Sequence, residues 1–235
     1  MVKRQAFTVI ELLVVISIIV LIAAMVAGGA ALATRKMRLN RARAELKQID
    51  LAIHRYQTKL GSFPPDNTNN TAVSSLFYEL LGTTYSASSG GSGKKGGGGK
   101  GGTYQTLRYN EQLAQGDIQT FFNQLGLVNS KAAEDPTRPT DATEQKQSYN
   151  FFENLQPNQY SEYSTTVGGQ TVNLLTTKVD GPPSSGTPLY ADSKGKKINP
   201  VHYVSTNPTN SPGQFDLWFE VIIAGKTNIV GNWEK

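Results

Sequence analysis

The sequence predicts an α+β protein: a long N-terminal α-helix, its N-terminal half suited to a membrane, packed on an antiparallel β-sheet domain. Three observations carry this. Residues 12–34 contain no charged side chain. Beyond them, Leu39, Ala42, Leu46, Ile49, Ile53, Tyr56 and Leu60 recur at steps of three and four, the spacing of one apolar stripe on a helix. From residue 148 the pattern changes to short runs of β-branched and aromatic residues separated by Gly, Pro and Asn, which read as strands and turns. Helix first and strands last argues for segregated elements, with the sheet laid on the helix.

Composition narrows the function classes. The chain has 235 residues, a net charge of +5 and no cysteine. That length holds one large domain or two small ones. Without cysteine there is no disulfide framework, thiolate metal site or cysteine nucleophile. His54 and His202 are the only histidines, so a histidine cluster is excluded. No G-x-S-x-G elbow occurs, and the glycine-rich stretches lack the Lys-Ser/Thr and the strand-to-helix setting of a phosphate loop. The chain is expected not to be an enzyme. Its basic clusters, residues 35–43 and 94–100, carry no interleaved aromatics, so nucleic acid is not an expected partner.

Residues 1–6 are short and polar and read as a charged leader. Residues 7–34 form the apolar part of the helix; about twenty apolar residues suffice to cross a bilayer core. An ordinary signal peptide cleaved at Ala31-Leu32-Ala33 would need a shorter apolar run and a less basic sequence after it. Flanking Lys and Arg do not separate a plain anchor from an assembly helix, because basic charge is greater after the span than before it. Glu11 stands at the mouth of the run, where a carboxylate facing lipid costs a few kcal/mol or more. It lies four residues from Phe7 and shares its face. Glu11 is either an assembly residue with a cationic partner or a helix-start acid favoured by the macrodipole.

Residues 35–60 continue the helix as an amphipathic segment, with Arg41, Arg43, Glu45, Lys47, Asp50, Arg55 and Lys59 on the other faces and Gly61 as the stop. A helix over 7–60 would span roughly 80 Å, and Gly28-Gly29 is a place for bending or for close helix packing. Residues 61–235 make the globular domain. Residues 71–81 predict a short helix closed by Gly82, and Asp117 reads as the N-cap of another. Residues 86–102 are almost all Gly, Ser and Lys and read as a loop; residues 83–148 together look like an insertion. Strands are predicted at 149–152, 172–179, 201–204, 215–223 and 229–233.

Phe7-Thr8-Val9-Ile10-Glu11 and the apolar helix after it resemble the class III prepilin signal of type IV pilins and type II secretion pseudopilins. The family usually has Gly where this chain has Ala6. The resemblance implies a pilin fold, cleavage by a prepilin peptidase between Ala6 and Phe7, N-methylation of Phe7, and an assembly role for Glu11 toward the amine of a neighbouring subunit. Tyr56, then Gly61-Ser62-Phe63-Pro64, then the helix at 76–81 is similar to the major pseudopilins. So is Ser211-Pro212-Gly213-Gln214-Phe215-Asp216-Leu217-Trp218 followed by Gly231-Asn232-Trp233.

In that family two acids after the Asp-Leu-Trp segment help bind calcium. Here the first is missing, Lys226 stands nearby, and Asn228 takes the place of the second. A calcium loop near Asp216 and Asn228 is therefore set against closure by Phe215, Leu217, Trp218 and Trp233 without metal, and no cofactor is the expectation. The resemblance further implies a bacterial inner-membrane, single-pass protein with a periplasmic domain. Its partners would be copies of itself in a helical filament, the peptidase and an assembly platform. Filament growth would drive protein export. A type IV pilin for adhesion or motility is one alternative, and a membrane-anchored periplasmic binding domain that never polymerises is another.

Overall fold

The computed structural model describes residues 8–87, 101–132, 147–182 and 189–234, with the side chains of 26–32 outside the described set. Helix α1 (Val9–Leu60) runs unbroken for 52 residues. Thr8 caps its start. At its end Gly61 adopts φ 80° and donates its N–H to Gln57 O, a left-handed conformation that costs an L side chain energy but not glycine. Helices α2 (Leu76–Leu81) and α3 (Gln115–Phe122) are short.

Among the described residues the strands form three sheets rather than one. Strands β1 (Thr83–Ser86), β2 (Thr103–Thr106), β3 (Gln112–Ala114) and β4 (Ser130–Ala132) make a four-stranded sheet ordered β3-β2-β1-β4. Strands β5 (Tyr160–Tyr163) and β6 (Val172–Leu175) form a hairpin. Strands β7 (His202–Val204), β8 (Asp216–Ile223) and β9 (Lys226–Gly231) make an antiparallel sheet. The expected α+β class with antiparallel pairing holds, with one exception: β4 runs parallel to β1. The chain returns to β1 through β3 and α3, and a crossover of that length permits parallel pairing.

The C-terminal half of α1 is the spine of the core. Ala42, Leu46, Ile49, Ile53 and Tyr56 are each at most 4% exposed, and each large side chain so buried contributes about 1.5–3 kcal/mol. They meet the inner face of β8, where Leu217, Phe219 and Val221 are fully buried. Two expected surface residues of α1 are in fact buried. Glu45 bonds Arg41 Nε (2.9 Å) and Thr177 Oγ1 (2.5 Å). Asp50 accepts from Lys47 Nζ at 2.7 Å. Both lie three or four residues from stripe positions, so they flank the seam and need partners to stay charged there.

Among the described residues no helix is long and apolar enough to cross a membrane. Other expectations change. The helix predicted over 71–81 starts only at Leu76, after turns at 71–74. Asp117 is not the N-cap of α3; Ala114 is, and Asp117 falls in the first turn. Residues 149–152 form no strand, because the Asn129 side chain takes the N–H of Tyr149 and Leu80 O takes that of Phe151. The two ends of the Gly/Lys-rich segment are β1 and β2, paired in register from Thr83↔Thr106 to Ser86↔Thr103. The loop between them, at 88–100, and the proline-punctuated 133–146 lie outside the described residues.

The mixed sheet is tied to the spine by one buried carboxylate. Glu79, in α2, is 0% exposed. Its Oε2 accepts from Tyr56 Oη (2.9 Å) and Asn129 N (2.8 Å), and its Oε1 from Val128 N (2.7 Å). Asn129 Nδ2 donates to Glu79 O (2.7 Å) and Tyr149 O (2.6 Å). Burial, then the adjacent carboxylate, push the Tyr56 phenol far above its ordinary pKa. Removing the carboxylate orphans two buried donors, Tyr56 Oη and Asn129 N, and the partly buried Val128 N. Glu79→Ala is expected to cost about 3–5 kcal/mol in urea unfolding and Tyr56→Phe about 1–2 kcal/mol. A loss under about 1 kcal/mol for Glu79→Ala would show that the carboxylate does not hold the sheet to the helix.

Candidate functional site

The residues expected to act lie at the start of α1 and in the C-terminal sheet. At the first, Thr8 is extended (φ −79°, ψ 150°) and makes a reciprocal capping box with Glu11. Thr8 N donates to Glu11 Oε2 at 2.9 Å, Thr8 Oγ1 donates to the same oxygen at 2.8 Å, and Glu11 N donates to Thr8 Oγ1 at 3.4 Å. A carboxylate at the third helical position satisfies the free amide of the cap residue and complements the positive end of the dipole. The helix-start role of Glu11 is thus present within a single chain. Both bonds to its carboxylate fall on Oε2. Ala6 and Phe7, with the cleavage and methylation assigned to them, lie outside the described residues.

The apolar side chains after Glu11 are uncovered. Val9 is 82% exposed, Leu13 56%, Ile19 58% and Met25 71%. On the globular side α1 is latched by polar contacts at its flank. Besides the Glu45–Thr177 bond, Arg38 lies 3.9 Å from Asp180 and Arg43 lies 3.9 Å from Glu234. Those two pairs are exposed and each is worth at most about 1 kcal/mol. The buried Glu45 bond is the firmer latch. The sequence pattern puts Glu45 on a polar face; its position three residues after Ala42 and four before Ile49 sets it at the edge of the stripe.

The structure does not bring Asp216 and Asn228 together. Asp216 begins β8 opposite Val204, whereas Asn228 sits in β9 opposite Val221. Five strand positions separate them along β8, roughly 17 Å. Asp216 Oδ2 accepts from Thr209 N, Asn210 N and Asn210 Nδ2 at 2.8, 2.8 and 3.1 Å, so the acid closes its own loop. Its Oδ1 is buried without a partner. Asn228 Nδ2 donates to Lys226 O. One free carboxylate oxygen falls well short of the six to eight oxygens calcium takes, and among the described residues no cluster of three or more metal-ligating side chains occurs. The pair does not fit a calcium ion. The β8–β9 turn is a tight two-residue one at Ala224 and Gly225, with φ 55° and 74°, which starts β9 earlier than the apolar run suggests.

On the outer face of the same sheet, His202 stacks on Trp218, with Thr71 Oγ1 2.9 Å from its Nδ1. Burial lowers its pKa from 6.5 to about 4. Comparison with protein-family models, curated proteins and solved structures finds no match for this chain.

The lowered pKa gives the domain an acid sensitivity. Between about pH 6.5 and 4 the unfolded chain takes up a proton that folded His202 refuses, so stability falls as pH falls through that window. The loss reaches at most about 3 kcal/mol, reduced by water at the ring's exposed edge. Urea midpoints of the wild type should drop from pH 6.5 to 4.5, and drop less in His202→Gln. Equal slopes would remove His202 from the account.

Proposed function

We propose that the chain is a structural subunit of a pilus-like filament, a pseudopilin of a type II secretion-type system that assembles through α1 to drive protein export. One observation carries the reading. A single rigid helix joins two halves with opposite needs: the half docked on the sheets is buried, and the half after Glu11 leaves its large apolar side chains uncovered. An apolar surface of that extent asks for a bilayer or for other helices. In this reading residues 7–34 lie in the inner membrane before assembly, and residues 61–235 face the periplasm.

The chemistry of assembly then rests on Glu11. In lipid or among packed helices an unpaired carboxylate is costly, and a cationic amine offsets that cost. After cleavage behind Ala6, the methylated amine of Phe7 in the next subunit supplies the cation, and Glu11 offers its Oε1 while Oε2 keeps the Thr8 cap. The Glu45 latch transmits load from the helix to the globular domain. Energy comes from a separate ATPase, since the sequence has no phosphate-binding loop.

Two measurements check this. Chain purified from membranes should begin at N-methyl-Phe7 by N-terminal sequencing and intact mass; an intact Met1 or a start near Thr34 sinks the reading. Glu11→Gln should abolish filaments while keeping a side chain able to cap the helix, whereas Thr8→Ala, which loses the cap and keeps the charge, should still assemble. Normal filaments from Glu11→Gln would rule out the charge pair.

A further inference from the structure

The outer face of the β7–β8–β9 sheet carries a row of partly exposed rings. His202 and Trp218 are cross-strand partners, with centroids 4.8 Å apart and planes tilted by 16°. Trp233 meets Trp218 edge-on at 5.9 Å. A Cβ on Gly231, the residue opposite Trp218 in β9, would lie 2.6 Å from the Trp233 ring, so only glycine lets that ring settle there. In the other direction Tyr190 meets His202 at 6.3 Å and Tyr163 meets Tyr190 at 6.1 Å. Each ring is thus within about two ring widths of the next, and none of the five is fully buried.

The row ends in a groove of about 250 Å³ that Tyr163 helps to line. The other walls are mainly amides and hydroxyls, among them Asn69, Gln119, Thr120 and Asn123, and among the described residues no charged side chain lines the groove. Beside His202 one carboxylate, Glu220, is balanced by one ammonium, Lys197, and His202 itself is held neutral at pH 7 by burial. Flat apolar rings with amides beside them and no net charge suit a ligand with apolar faces and many neutral hydroxyls. Amides both donate to and accept from hydroxyls, and a few polar groups beside an aromatic lining fix orientation. An anionic polymer would need a basic lining that is absent here.

We propose that this aromatic row and the groove at its end bind a neutral glycan chain, the rings acting as stacking platforms and Asn69, Gln119 and Asn123 as hydroxyl partners. The site is independent of filament formation, since it uses neither α1 nor Glu11.

The chain has two tryptophans, and both stand in this row, so tryptophan fluorescence reports on this surface alone. The full chain in a non-glycosidic detergent is titrated with cellohexaose, maltohexaose and chitohexaose, and with an oligogalacturonate as the charged control. The expected result is a saturable change with at least one neutral hexaose and none with the control. Trp218→Thr, on a partly exposed strand position that tolerates threonine, should weaken binding about tenfold, and Trp218→Phe should stay close to wild type; equal melting temperatures exclude misfolding. No response to any neutral hexaose at millimolar concentration overturns the proposal, as does a response unchanged in Trp218→Thr. Loss of filaments in Trp218→Thr without a sugar response overturns it too and makes the row a subunit interface.

Discussion

Glu79 is the constraint on which the globular part depends. A fully buried carboxylate is tolerated only when its oxygens are met by donors. Here three donors come from two places: Tyr56 on α1, and the backbone of Val128 and Asn129 at the edge of the mixed sheet. The requirement works both ways. The carboxylate cannot be buried until α1, α2 and the 128–129 segment are together, so it favours one arrangement of elements over looser apolar packings. Asn129 extends the network by holding Tyr149, which sets the path of 149–152 and places Phe151 against Tyr56.

The same helix that carries Tyr56 carries the uncovered apolar half. Because α1 is continuous, the globular domain has no hinge within the described part of the helix, and its position is referred to the helix axis through the stripe and through Glu45. This explains why polar residues are buried at the flank of the stripe. Apolar packing alone lets a sheet slide along a helix, whereas the bond from Thr177 to Glu45 pins one register. In the filament proposed above, a subunit that transmits force through its helix needs such a pin.

The molecule therefore has three distinct features: an uncovered apolar helix, a buried polar joint, and an outer sheet face bearing rings. The third owes its existence to the strand alternation of β8, which sends Leu217, Phe219 and Val221 inward and Trp218 and Glu220 outward. The Asp216 loop, by contrast, is closed locally: Oδ2 of the carboxylate takes the turn amides at one end of the sheet, and Asn228 lies far along the hairpin.

Much of this was written in the order of residues. The continuous helix, its apolar stripe, its stop at Gly61 and the C-terminal strands follow from spacing and local propensity, since a period of 3.6 or 2 and a left-handed glycine are properties of neighbours in the chain. The capping box of Thr8 and Glu11 is likewise local. What the sequence could not decide were contacts across long separations. Glu45 and Glu79 look like surface charges until Thr177 and Asn129, 132 and 50 residues away, satisfy them. The segment 83–148 reads as an insertion because the strands described within it are three or four residues long, too short to show a period, and are held by pairing rather than propensity. The aromatic row is invisible for the same reason: Tyr163, Tyr190, His202, Trp218 and Trp233 become one surface only when three sequence-distant segments are laid edge to edge.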